Sequence, residues 1–450
     1  MKNIRVLFLV ISFTTVLMAQ EVKDTKVTVY NNNLGVIKEV REMQIPKGLN
    51  EVKITDVATL INPTSVHFDL NGAVLEQNYR YDLVGMSKIL EKYVDNNIQL
   101  INEKGELIEG KLLSAEGNQI VLLTKTGGLT MLPNIDKYRF AVESLPSGLI
   151  TKPTLVWLVD SKNSGNQKVD FSYQTGGMNW SAEYVAVIND NDTKLDLNSW
   201  VSITNNSGTT YNNAELKLVA GDVNRVNELT GRGNYIKPKY MVEAVDYAAQ
   251  DQFQEKEFFE YHIYKLDRKT TLANNETKQI SLFTAKDVSA TKKYLYQGNS
   301  YGNNKIKVVV QFENTDKNNL GKPMPKGKFR LYKKDGESVE FIGEDLIDHT
   351  ANKETLKLKI GEAFDIVAEE KQTEEKRISD KVSESSWEIK FKNRKKEDIV
   401  IDVERILGYN WEIMDSNFKY EKETASKITF KVPVKADDET TLKFKVRYSY

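Results

Sequence analysis

Five residues, Gly176 to Trp180 (GGMNW), interrupt a run of strand-like sequence. They hold side chains with which a protein can read a sugar: an indole to stack on and a carboxamide, Asn179, to hydrogen-bond. Glu183 follows three residues later, and Asp222 ends the run ELKLVAGD. Glycoside hydrolysis needs two carboxylates, one as acid and one as base or nucleophile, at a separation set by the fold. Glu183 and Asp222 are the pair to test for that chemistry; the plainer reading makes both surface or capping carboxylates. GGMNW has a plainer reading too, a corner. Gly176 and Gly177 supply positive φ, Asn179 satisfies loose backbone groups, and Trp180 closes the end of a sandwich. Counting by twos from Trp180 puts Ala182, Tyr184, Ala186 and Ile188 on its face and Ser181 and Glu183 on the other. Trp180 therefore begins an apolar row. The corner is the expectation, and ligand binding by Asn179 and Trp180 is the alternative.

Other spacings argue against common chemistries. Asn189 to Asp196 (NDNDTKLD) alternates carboxylates as a calcium loop does, but Lys194 occupies a ligand position and no glycine or distal Glu completes the pattern. A polar turn is expected. The three histidines, His67, His262 and His349, fall on different predicted elements, and no HExxH pair exists. There is no GxSxG elbow or Walker loop, and GRGNYI lacks the last glycine of a GxGxxG motif. A serine triad is a matter of geometry rather than spacing. Neither a metal site nor a cofactor is expected.

These residues sit in a chain of 450 with no Cys, which removes disulfides, thiolate metal sites and cysteine nucleophiles. Residues 1–20, MKNIRVLFLVISFTTVLMAQ, read as a signal peptide: Lys2 and Arg5 form a positive start, an apolar stretch follows, and Ala19 is a small residue at the cleavage position. Export to the periplasm or cell surface is expected, with no transmembrane helix in the mature chain. Basic and acidic residues number 63 and 64. Without Lys2 and Arg5 the balance is 61 to 64, a net charge near −3, which argues against nucleic acid as a partner.

The elements that position the candidates read as strands. Two-residue alternation cut by Gly and Asn runs through most of the sequence and predicts an all-β protein of antiparallel sandwiches. Residues 21–81 form an N-terminal β segment packing on the middle domain. Residues 82–148 open with a short helix, LVGMSKILEKYV, and continue as five short strands, the outline of an inserted SH3- or Sm-like barrel. Residues 149–300 make the middle sandwich, broken by a long loop at 224–257 that carries Tyr235, Tyr240, Tyr247 and Phe253; a loop of that length is functional or disordered. Residues 301–450 predict a sandwich of immunoglobulin-like size, with EEKQTEEKRISDK as a solvated hairpin. The last strand, TLKFKVRYSY, alternates up to an aromatic end, as the closing strand of an outer-membrane barrel does, though the last strand of a sandwich shows the same pattern.

Several stretches taken together resemble a family of exported bacterial β proteins catalogued as a domain of unknown function, whose longer relatives carry the label mucoidy inhibitor A. They are YQTGGMNWSAEYVAVI, WVSITNNSGTTYNNAELKLVAGDVNRV, EYHIYKLDRKTTLANNETKQISLF, GKPMPKGKFRLYKKDG, FIGEDLIDHT and IGEAFDI. They span Lys152 to Tyr450, with weaker similarity over Val27 to Tyr81. The resemblance implies an all-β extracytoplasmic protein and supplies no catalytic residues. The expected role is a non-catalytic binding or structural module of the cell envelope, its partner an envelope protein or a polysaccharide. Exposed sheet edges and the tyrosines at 235, 240 and 247 are the candidate contacts. A carbohydrate-active hydrolase and an outer-membrane barrel are the alternatives.

Overall fold

The computed structural model describes residues 20–221, 223–224, 252–298, 304–408 and 410–449. The expected signal peptide therefore lies outside the described residues, except Gln20. The N-terminal segment contributes β1 (Gln20–Tyr30), β2 (Leu34–Ile45), β3 (Gly48–Thr55), β4 (His67–Asp69) and β5 (Gly72–Arg80). Helix α1 (Met86–Lys92) leads β6 (Asn97–Asn102), β7 (Leu107–Glu116), β8 (Gln119–Thr124), β9 (Leu129–Leu132) and β10 (Tyr138–Ala141). Then come β11 (Thr154–Ser161), β12 (Gly165–Thr175), β13 (Met178–Ile188), β14 (Lys194–Asn205) and β15 (Tyr211–Ala220). They are followed by β16 (Phe253–Phe258), β17 (Tyr261–Leu266), β18 (Thr270–Leu272) and β19 (Glu276–Tyr296). The last third holds β20 (Lys305–Glu313), β21 (Gly327–Asp335), β22 (Ser338–Ile347), β23 (Thr355–Ser379) and β24 (Val382–Asn393). It ends with β25 (Ile399–Ile406), β26 (Trp411–Ser416), β27 (Tyr420–Lys422), β28 (Lys427–Val434) and β29 (Glu439–Ser449). Among the described residues no helix is long and apolar enough to cross a membrane.

Alternation becomes burial, and burial sets the layers. One sheet runs β16-β17-β15-β1-β2-β12-β4, with β18 on β15; a small one runs β3-β11-β5. The N-terminal segment is woven into both, β1 and β2 lying between β15 and β12, and β3 and β5 flanking β11. The largest sheet runs β22-β21-β13-β14-β19-β20-β23-β24-β29-β26. One core joins these layers: Ile37, Trp157, Phe171, Trp180, Tyr184, Leu216 and Phe329 all pack in it. Phe312, Leu331, Leu356 and Leu358 belong to the same core, so packing carries the middle unit past residue 301, where the sequence suggested a boundary.

A charged pair sits inside this core. Arg41 donates to Glu39 Oε2 from Nε at 2.9 Å and from Nη2 at 2.6 Å, and from Nη1 to the Thr55 carbonyl at 2.7 Å. Its guanidinium lies 5.3 Å from the Phe171 ring centre. A buried ion pair persists when its hydrogen bonds are satisfied in this way.

The C-terminal sandwich faces β23, β24, β29 and β26 against β25, β28 and β27, with Phe391, Ile401, Val403, Phe430, Phe444 and Val446 between them. Phe430 and Phe444 meet at 5.3 Å. β29 pairs with β24 and β26 and sends Leu442, Phe444 and Val446 into this core, so the alternating C-terminus is a sandwich strand and does not close a membrane barrel. The β23–β24 hairpin turns at Asp380–Lys381 with its tip in solvent, as the charged sequence there predicts.

The inserted unit has the expected short helix and five strands, in the order β10-β6-β7-β8-β9 around Leu90, Leu100, Leu112 and Leu122. It differs from the barrel outline at one point: β9 and β10 end the sheet without pairing to each other. Both are four residues long, and the sheet bends instead at a bulge between Leu112 and Ser114.

Candidate functional site

GGMNW is where the chain leaves one sheet and enters another, β12 ending at Thr175 and β13 starting at Met178. Gly177 has φ +75°, and a Cβ there would come 2.5 Å from the Asn206 carbonyl oxygen. The corner is tied down by its backbone. Gly176 N–H donates to the Leu60 carbonyl at 2.9 Å, Gly177 N–H to Asn33 Oδ1 at 2.8 Å, and Asn206 N–H to the Gly177 carbonyl at 2.7 Å. Asn179 is exposed and takes no part in these bonds.

Trp180 is 1% exposed, and its Nε1–H donates to the Val219 carbonyl at 3.1 Å. It cannot stack on a ligand, which corrects the binding alternative for that residue; the apolar row it begins outweighs its value as a surface aromatic. Ala182 and Ala186 alternate with it and with Tyr184 along the same buried face. Tyr184 stacks on Phe329 at 5.1 Å and donates to the Pro325 carbonyl at 2.8 Å; burial holds its phenol well above the usual pKa.

The opposite face of β13 faces water and brings two of the expected residues together with one that the motifs did not single out. Asn179, Ser181 and Glu183 lie on this face. Across the ladder to β14 they stand opposite Thr204, Ser202 and Trp200. Trp200 is 36% exposed on a strand whose Leu195, Leu197, Val201 and Ile203 are buried. The signal was in the sequence: in KLDLNSWVSITN the indole occupies the polar phase of the alternation. Beyond β14 the face continues onto β19, where Gln279 Nε2 donates to Ser202 Oγ at 3.1 Å and Thr277 shares a hydroxyl bond with Thr204. On the other side, Arg330 Nη1 reaches Glu183 Oε2 at 2.8 Å and its Nε lies 3.6 Å from Glu344, which also faces Lys328 at 3.5 Å. The result is a sheet face with hydroxyls and carboxamides around one indole, charges of both signs on the neighbouring strands, and apolar Val185, Val187, Tyr332 and Phe341 further along.

Asp222, Tyr235, Tyr240 and Tyr247 lie outside the described residues. Phe253 does not belong to a loop: it starts β16 and is buried in the first core. β16 and β17 form a hairpin whose turn is Phe259 and Glu260, Phe259 adopting φ +57°.

Asn189 to Asp196 is a polar turn. Asn189 Oδ1 accepts from the Thr193 and Lys194 N–H groups at 2.9 and 3.1 Å. The Asp192 carboxylate is held between Lys292 and Lys333, the latter at 2.6 Å. Burial pushes that carboxyl up, yet the two ammonium groups hold it below the usual aspartate range. The histidines stay apart: His262 Nδ1 lies 2.7 Å from Glu255, His349 Nδ1 accepts from the Lys326 N–H at 3.2 Å, and His67 is exposed on β4.

The inserted domain carries a polar hollow of about 560 Å³ between α1 and residues 143–147, lined by Lys92, Tyr93, Asn96, Asn97 and Glu143 among others. Tyr93 is no platform there, since its ring is buried and its hydroxyl donates to the Ser144 carbonyl at 2.7 Å. No protein-family model matches the chain, and no curated protein matches it at a significant level.

Proposed function

We propose that the protein is exported to the cell envelope and works there by non-catalytic binding, with the outer face of β13, β14 and β19 as its contact surface. The observation that carries this reading is Trp200, a partly exposed indole in direct register with Glu183 and two residues from Ser202 on the same sheet face. An indole with part of its surface in water, beside hydrogen-bonding side chains, offers a rigid apolar surface on which a partner can pack, and this supports the reading. The positive-start, apolar N-terminus and the resemblance to exported β proteins support the location. The hydrolase reading fits the face less well: Glu183 stands on a flat surface with its carboxylate bound by Arg330.

The test is retention on isolated envelope. Purified protein and its Trp200→Ala variant are mixed with envelope fragments and sedimented. Retention of the wild type and a loss of at least tenfold in the variant is the expected result; equal retention of the two overturns the choice of face.

A further inference from the structure

We infer that this face is a platform for a neutral saccharide chain, Trp200 packing under one pyranose ring whose hydroxyls Ser202, Gln279 and Glu183 read, while Asn179, opposite Thr204, meets a neighbouring sugar of the chain. The inference rests on the binding reading above and names its ligand.

Three observations select this chemistry. The first is the pairing of one apolar surface with many small polar groups. A pyranose has an apolar C–H face and a rim of hydroxyls. An indole supplies a large, rigid apolar surface with a negative π face for the first. Orientation is then fixed by a few hydrogen-bonding groups at the edge. Around Trp200 these are a hydroxyl at Ser202, a carboxamide at Gln279 beside it, a carboxylate at Glu183 across the ladder, and the exposed carboxamide of Asn179 two positions along the same face.

The second is shape. The site is a sheet face rather than a pit, and neighbouring strands lie about 4.8 Å apart. Side chains at that interval run from Gln279 and Thr277 on β19 through Ser202 and Thr204 to Ser181 and Asn179 on β13, and from Trp200 through Glu183 to Lys328 on β21, so an extended chain lying across the strands meets hydrogen-bonding groups along its length.

The third is charge. Glu183 and Lys328 in one row and Arg330 and Glu344 in the next pair with one another, two charges of each sign, so these groups leave no net charge beside Trp200 to select an ion. A protein partner would centre on apolar surface, which on this face is Val185, Val187, Tyr332 and Phe341 further along the strands. Trp200 is instead bordered by Glu183 and Ser202.

The experiment measures the folded full-length protein against gluco-, manno- and N-acetylglucosamine oligomers and the matching soluble polysaccharides, by affinity electrophoresis and calorimetry. Wild type is expected to be retarded by at least one of these neutral glycans. Trp200→Ala abolishes the retardation, Trp200→Phe weakens it several-fold, and Ser202→Ala with Asn179→Ala weakens it with the indole intact. Each variant is first shown to be folded by a cooperative melt above the assay temperature. If envelope retention depends on Trp200 yet no glycan binds, and retention survives periodate oxidation of the envelope, the saccharide inference falls while the binding face stands, and the partner is a protein. If retention ignores Trp200, both fall.

Discussion

Trp180 and Trp200 occupy neighbouring strands of one sheet and face opposite ways, the first sealed in the core with its N–H on the Val219 carbonyl, the second opposite Glu183 in water. The two predict contrasting results from the same substitution. Trp180→Ala removes a large fully buried side chain and is expected to cost about 3–5 kcal/mol of unfolding free energy. Trp200→Ala removes a ring that is only 36% exposed and is expected to cost about 1–3 kcal/mol, less than Trp180→Ala, while abolishing binding. Urea titrations of both variants beside the envelope assay check the contrast; a large loss of stability in Trp200→Ala would make that indole a structural residue.

Glu39 and Arg41 test the buried pair. Glu39→Ala leaves the Arg41 guanidinium buried without its carboxylate, an expected loss of about 3–5 kcal/mol. Replacing both with apolar residues of similar size should recover most of it. Chemical denaturation of the single and double variants measures the difference, and an additive double variant would refute the coupling.

Gly177→Ala should destabilise by about 1–3 kcal/mol, since it combines a left-handed backbone with a Cβ pressed against Asn206. Gly117, also at positive φ but with open space around it, is the control. Thermal melts of Gly177→Ala and Gly117→Ala should separate strain alone from strain plus collision.

Asp192 gives a pH dependence. Its folded pKa lies below the ordinary 3.8, so its contribution to stability is complete above that value and is lost as pH falls through the lower, folded pKa. Asp192→Asn should therefore lower stability at neutral pH and flatten the acid limb below about pH 4. Unfolding free energies between pH 7 and 2 show whether the two curves converge there; parallel curves would contradict the assignment.

Glu183→Gln separates binding from hydrolysis. As one hydroxyl reader among several, Glu183 should cost less than tenfold in envelope retention when replaced by its amide, which keeps the shape and one acceptor. A catalytic carboxylate would instead yield a variant that binds and releases no reducing sugar where the wild type does. Reducing-end release over a day by both proteins decides it.

The layers were legible because burial follows period two: the row from Trp180 to Ile188 can be read without any structure, and so can the short helix at Met86–Lys92. The corner at Gly176–Gly177 followed from glycine turn chemistry, though only Gly177 takes a positive φ and Asn33, not Asn179, caps it. Pairing over long distances was not legible. Nothing local in Gly327–Asp335 says that it lies parallel to Met178–Ile188, and that pairing is what carries Arg330 to Glu183. Trp200 was overlooked for another reason. Tryptophan is a good strand former, so its presence in KLDLNSWVSITN supports the strand and hides the fact that it sits in the wrong phase. The hairpin at Phe253–Leu266 was missed because a Phe at positive φ carries no turn signature of the Gly or Asn kind.

Strands β19 and β23 each run from the first core into the second, over 21 and 25 residues, with bulges along their ladders and Asp287 of β19 at φ +54°. At about 3.3 Å per residue these are spars on the order of 70 and 80 Å long. The C-terminal sandwich is thus bolted to the middle unit rather than hung from a tether. A tug on one end is borne as shear by many ladder bonds at once, and it arrives at the face around Trp200 with no slack taken up on the way.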